Sequence, residues 1–198
     1  MKYHRLAVFF LAGAGLLNAN AGSNELSTRQ AFHSGGNVKL QLSSGDYVVS
    51  GTDSDSISVT YSCDSASALR NVKVGLKIEG SNAKVSVANT PDSGNFHATI
   101  EVPRRSALWL RLTAGDLRVE GTEGDKDIEA RAGDVTIEVS HPEQYGHRDA
   151  SVLAGEIEAP AFNVAKDGIF RSFEQNGPGK YRLHAHLAAG NLSLVEGN

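Results

Sequence analysis

Gly45-Asp46-Tyr47-Val48-Val49-Ser50-Gly51-Thr52-Asp53 returns seventy residues later as Gly115-Asp116-Leu117-Arg118-Val119-Glu120-Gly121-Thr122-Glu123. The two nonapeptides share both glycines, the first aspartate, the second valine and the threonine, and each closes on an acidic residue. A shorter form recurs at Ala132-Gly133-Asp134-Val135, at Ala154-Gly155-Glu156-Ile157 and, with an amide, at Ala189-Gly190-Asn191-Leu192. Gly115, Gly133 and Gly155 are 18 and 22 residues apart, and 35 residues separate Gly155 from Gly190. A period near 20 is that of a solenoid coil, a unit that buries its apolar face only by stacking on its neighbours. The expected fold is therefore all-β: a single-domain β-solenoid, parallel β-helix-like, with coils of about 18 to 22 residues. The longer interval reads as a coil with an extended loop around Phe162 to Pro178.

Between the glycines the apolar residues alternate, as in Val38, Leu40, Leu42, in Phe96, Ala98, Ile100, Val102, and in Leu108, Leu110, Leu112. The same period of two runs through Val72 to Ile78, Val135 to Val139 and Tyr181 to Leu187. Alternation places successive side chains on opposite faces, so these are half-buried strands. Glycine at each corner permits a positive φ that a Cβ would oppose, and the acidic or amide residue after it can brace the turn through nearby backbone amides. Gly45-Asp46, Gly115-Asp116, Gly133-Asp134, Gly155-Glu156 and Gly190-Asn191 are thus read first as turns.

On these residues the chain resembles the exported bacterial proteins grouped as "putative adhesins", β-solenoids of unknown function. The resemblance spans roughly residues 36 to 195. It rests on the Gly-Asp-x-x-Val-x-Gly unit, on Ile100-Glu101-Val102-Pro103 leading into Leu108 to Asp116, and on Gly179-Lys180-Tyr181-Arg182-Leu183 through Gly190-Asn191-Leu192. It implies a β-solenoid and an adhesive role, and it carries no catalytic residue.

Lys2 and Arg5 precede an uncharged run from Leu6 to Leu17 that ends in Ala19-Asn20-Ala21, the order of an export signal. Twelve apolar residues fall short of the roughly twenty that span a bilayer. The expected division is a signal peptide over 1–21, an N-terminal leader over 22–35 and the β domain over 36–198, with no transmembrane segment after cleavage and a destination in the periplasm, at the cell surface or outside the cell. Removing Lys2 and Arg5 from the 19 basic residues leaves 17 against 23 acidic ones, which argues against a nucleic-acid partner. Cys63 is the only cysteine, so no intramolecular disulfide forms; it continues the alternation Ile57, Val59, Tyr61 and reads as a small core residue.

Chemistry-bearing patterns are sparse. If coils stack in register, Asp116, Asp134 and Glu156 form a column, extended by Asp46 and Asn191, where a calcium ion could share oxygen ligands; turn bracing is the first reading, and no cofactor is required. His184-x-His186 sets two imidazoles on one strand face, too few for a structural zinc site, so they read as solvent-facing. Trp109, Arg111 and Arg118 could together grip an acidic sugar by stacking and charge-assisted bonds. No Gly-x-Ser-x-Gly, phosphate loop or His-Glu-x-x-His occurs, so no catalytic residue is assigned and the chain is expected not to be an enzyme. The expected role is adhesion or interaction with a glycan or protein of the cell envelope. The alternatives are a carbohydrate-active enzyme on a β-helix and a purely structural envelope module. The alternation Leu192, Leu194 stops close to residue 198, which predicts self-association through a C-terminal edge strand unless the stretch 158–180, with its three phenylalanines, folds back as a cap.

Overall fold

The computed structural model describes residues 24–92, 95–166 and 169–197. The signal peptide expected over 1–21 lies outside them. Seventeen strands and one four-residue helix form among the described residues. They are β1 (Glu25–Ala31), β2 (Asn37–Leu42), β3 (Asp46–Thr52), β4 (Ser56–Ser62), α1 (Ala66–Leu69), β5 (Lys73–Glu79), β6 (Asn82–Ala88), β7 (His97–Pro103) and β8 (Ala107–Leu112). There follow β9 (Leu117–Glu120), β10 (Lys126–Ala132), β11 (Val135–Val139), β12 (Tyr145–Ala154), β13 (Ile157–Ala159), β14 (Val164–Lys166), β15 (Ile169–Asn176), β16 (Tyr181–Ala189) and β17 (Leu192–Glu196).

The strands make two mixed sheets. One has nine strands in the order β1-β4-β7-β3-β9-β11-β17-β13-β14, and the other has eight, β15-β12-β16-β10-β8-β2-β6-β5. Every alternating apolar run read from the sequence lies in, or directly adjoins, one of these strands. Their inward residues, among them Leu40, Val85, Leu110 and Leu187 from one sheet and Val49, Ile100, Val119 and Ile137 from the other, form a single buried core. Each such side chain contributes about 1.5–3 kcal/mol by leaving water. Cys63 is buried among them, its Sγ 3.1 Å from the Ser65 carbonyl.

The sheets are linked layer by layer. A strand of the eight-stranded sheet turns at a glycine corner into one of the nine-stranded sheet: β2 into β3, β8 into β9, β10 into β11, β12 into β13 and β16 into β17. With β6 and β7 these pairs stack in parallel, in the order β6–β7, β2–β3, β8–β9, β10–β11, β16–β17, β12–β13. Here the expectation of a β-solenoid fails. In a solenoid each coil rests on the one before it, whereas near both ends of this stack the chain leaves a gap that a later layer fills. β7 enters between β3 and β4, and β16–β17 enters between β10–β11 and β12–β13. A filling layer has both edges hydrogen-bonded, so this interleaving leaves fewer open ladders than a free end would. The 22-residue interval from Gly133 to Gly155 is consequently not a coil: Gly190 stacks between them.

Antiparallel strands finish both ends of the stack. β5 pairs with β6, β4 with β7 and β1 with β4 at one end; β15 pairs with β12 and β14 with β13 at the other. Residues 25–31, expected to belong to a leader, are thus the edge strand β1. The stretch 158–180 supplies β14 and β15 and so closes both sheets at one end, with Phe162 and Phe173 packed at 6.3 Å between ring centroids. β17 lies inside its sheet between β11 and β13, so the expected C-terminal edge does not exist.

Candidate functional site

The repeated residues come together at one corner. Gly45, Gly115, Gly133, Gly190 and Gly155 stack in that order, and each of the first four N–H groups donates to the carbonyl of the residue preceding the next glycine, at 2.9–3.0 Å. A Cβ on Gly133, whose φ is +120°, would lie 2.0 Å from the Gly115 oxygen, a distance no carbon atom tolerates. The second glycines of the nonapeptides meet in the same way, since a Cβ on Gly51 would lie 2.1 Å from the Gly121 oxygen. The acidic residues brace the turns. Asp46 Oδ1 accepts from the Asp116 N–H at 3.4 Å, Asp116 Oδ1 from the Asp134 N–H at 3.3 Å, and Asp134 Oδ1 from both the N–H and the side-chain amide of Asn191 at 3.1 and 3.0 Å. Asp116, Asp134 and Glu156 do not gather as one oxygen cage, because Asn191 stands between the last two.

The outward face of the eight-stranded sheet is chemically richer. One cross-strand row runs Lys77, Lys84, Lys39, Trp109, Asp127, His184, Asp149, Glu174, one residue from each strand from β5 to β15. The adjacent row runs Ser86, Gln41, Arg111, Glu129, His186, Ser151 over the six middle strands. The face therefore changes from cationic to acidic and imidazole-bearing on passing Trp109. Lys39 Nζ stands 4.0 Å and Arg111 Cζ 3.9 Å from the Trp109 ring centroid, both within cation–π range. On the cationic side lies a depression of about 450 Å³ whose polar lining comprises Lys39, Lys77, Lys84, Asn37, Asn82, Trp109 and one acid, Glu79.

Arg111 also ties the two halves together, with Nη1 2.7 Å from Asp127 Oδ1 and Nη2 2.9 Å from Glu129 Oε1. Beyond it, His184 Nδ1 lies 2.5 Å from Asp149 Oδ2, His147 Nε2 lies 3.3 Å from Asp149 Oδ1, and His186 Nδ1 lies 2.7 Å from Ser151 Oγ. His184 and His186 thus share a face, as the alternation predicts, and each is held by a neighbouring strand. Of the expected trio Trp109, Arg111 and Arg118, only the first two meet. Arg118 lies on β9 in the other sheet, bonded to Glu120 at 2.7 Å, because the corner at Gly115 carries the chain across between them.

Among the described residues one charged side chain, that of Lys126, is buried. Lys126 on β10 is 2% exposed, and its ammonium donates to the Thr122 carbonyl at 2.9 Å and to the Tyr145 hydroxyl, which in turn donates to the Gly124 carbonyl at 3.2 Å. Burial lowers the Lys126 pKa from 10.5 to about 8 and raises that of the Tyr145 phenol. Sequence reasoning passed over this pair, although Lys126 shares the inward phase of Ile128 and Ala130.

In fold, this chain is similar to a "putative cell adhesion protein" from Clostridium sporogenes. The two overlay with a TM-score of 0.55 at 12% identity, over 85% of this chain and 97% of that one. At such identity the likeness shows the fold alone. A "putative adhesin" from Parabacteroides distasonis overlays at a TM-score of 0.33, with 11% identity over 59% of this chain and 58% of that one, too low to carry an argument. No family model and no curated protein matches the sequence.

Proposed function

We propose that the protein is an exported, adhesin-type interaction protein without catalysis, and that it binds an anionic glycan on the cationic half of the outward face of the eight-stranded sheet, over β5, β6, β2 and β8. The observation that carries this reading is the row Trp109, Lys39, Lys84, Lys77. Like charges directly opposed on neighbouring strands destabilise a sheet, and three ammonium groups in one row, strands about 4.8 Å apart, are relieved by an extended polyanion lying across them. Lys77 has a carboxylate at hand, Glu79 at 2.6 Å, whereas among the described residues Lys84 has no ion-pair partner. The depression beside Trp109 adds the side-chain amides of Asn37 and Asn82, which can hydrogen-bond sugar hydroxyls next to the cations.

The absence of catalysis in this proposal is supported by the geometry around Ser151 and His186. That pair sits on strands β12 and β16, which pair with each other and with β15 and β10, so neighbouring backbone N–H groups serve the ladder rather than an oxyanion. Asp127 and Glu129, neighbouring carboxylates on this face, are both ion-paired to Arg111. Export rests on the charged, apolar and small-residue order of residues 1–21, and among the described residues no helix is long and apolar enough to cross a membrane.

The test is binding of polygalacturonate and heparin, with neutral dextran as control, to the parent protein and to Lys39→Glu/Lys84→Glu. Saturable binding to the acidic polymers that weakens at least tenfold in the double variant, with no product released, is the expected result. Equal binding to dextran, or binding indifferent to the two substitutions, overturns the assignment of this face.

A further inference from the structure

The acidic end of the same face holds a second site, independent of the glycan reading. We propose that Asp127, Glu129 and His184 bind a divalent transition-metal ion with the ligand preferences of zinc. One ligand atom from each of the three lies within 4.8 Å of the others. The backbone dictates this meeting: Asp127 and Glu129 are two residues apart on β10 and so share a face, and His184 on β16 is the register partner of Asp127.

Two further contacts make the cluster more than a group of acids. His184 Nδ1 is held by Asp149 Oδ2 at 2.5 Å, which fixes the ring and leaves Nε2 as the free nitrogen. A carboxylate on the far nitrogen of an imidazole is the usual outer support of a metal-bound histidine, because it sets the tautomer and raises the basicity of the ligating atom. Arg111 bonds Oδ1 of Asp127 and Oε1 of Glu129, which leaves Oδ2 and Oε2 available while holding both carboxylates in place. A single guanidinium neutralises one of two charges, so the pair retains a net negative charge that a cation would offset. Asp149 and Glu174 add further negative charge in the same row.

The donor set selects the ion. One imidazole and two carboxylates, half-exposed so that water can complete a tetrahedral or five-coordinate shell, suit Zn²⁺ and its substitute Co²⁺. Calcium, which takes six to eight oxygens, gains nothing from the imidazole.

The experiment is calorimetric titration of tag-free protein with Zn²⁺ at pH 7.5, repeated with Ca²⁺, alongside the visible absorption of the Co²⁺ form. One equivalent of zinc is expected to bind, with His184→Ala and Asp127→Asn each weakening it at least tenfold. Asp149→Asn, a positioning residue, is expected to weaken it by about 10- to 100-fold, without removing a ligand from the Co²⁺ spectrum. Zinc should raise the unfolding temperature of the parent and not of His184→Ala, and each variant must keep the parent's unfolding temperature in the absence of metal, as half-exposed substitutions do. The proposal is overturned if zinc binding is not saturable, if it survives His184→Ala unchanged, or if it is lost in His186→Ala but kept in His184→Ala, which would make the site a His-x-His pair instead.

Discussion

At the glycine corner one added methyl group is intolerable, whereas on the outward face of the eight-stranded sheet the side chains pass from lysines through Trp109 to carboxylates and imidazoles while the backbone stays the same. The corner is repetitive in sequence because five layers impose one backbone demand, a positive φ, and in four of them, at Gly115, Gly133, Gly190 and Gly155, a neighbouring carbonyl oxygen lies about 2 Å from where a Cβ would stand. The face is varied because its outward positions carry no such demand. Repetition therefore marks what the fold requires, and departures from repetition mark where chemistry can be placed.

The contrast is most severely tested by Gly133→Ala, which combines φ +120° with the blocked approach to Gly115. It is expected to cost more than about 4 kcal/mol and leave no cooperative unfolding transition by circular dichroism. Gly35→Ala, at φ +85° but with open space around the new Cβ, isolates the backbone component and should cost about 1–2 kcal/mol. Next comes Ile137→Ala, removing a side chain of 0% exposure from the core between the sheets, with an expected loss of about 2–5 kcal/mol in urea unfolding.

Lys126 sharpens the comparison from the inside. Its folded pKa, about 8, lies below its unfolded value of 10.5, so above pH 8 the unfolded chain holds the proton that the folded protein has released. Stability must then rise with pH, by about 2 kcal/mol between pH 8 and 9.5. Beyond pH 10 the Tyr145 phenol opposes the gain, because its raised folded pKa means the unfolded chain ionises first. Lys126→Met should abolish the rise and be at least as stable as the parent at pH 7, measured by denaturant unfolding across the pH series. The smallest effect is expected on the face: Lys84→Glu should shift stability by less than about 0.5 kcal/mol while weakening polyanion binding.

Much of the fold can be read from alternation alone. Leu108, Leu110, Leu112 and Leu183, Ala185, Leu187 announce strands with one buried face, and the membership of the glycine corner follows from five recurring dipeptides. The order of the layers does not, because it is decided by pairings between residues far apart in the chain, such as Asn191 on Asp134, that no local pattern reports. The candidate site was legible in part for the same reason. Trp109 and Arg111 lie on one strand and stay together, but grouping them with Arg118 ignored the corner between. Asp127, Asp149 and His184 come from three strands, and only the register joins them.

The interleaved layer order also constrains how the molecule can be assembled in time. A chain growing from its N-terminus completes β10–β11 and β12–β13 before β16–β17 exists, yet those two layers are neighbours only through it. Until β16–β17 arrives, both would expose unpaired parallel edges, and parallel pairing over such separations is slow. The last layer of the described chain acts as a keystone: assembly cannot proceed coil by coil behind the advancing chain, and the stack closes only when it is inserted.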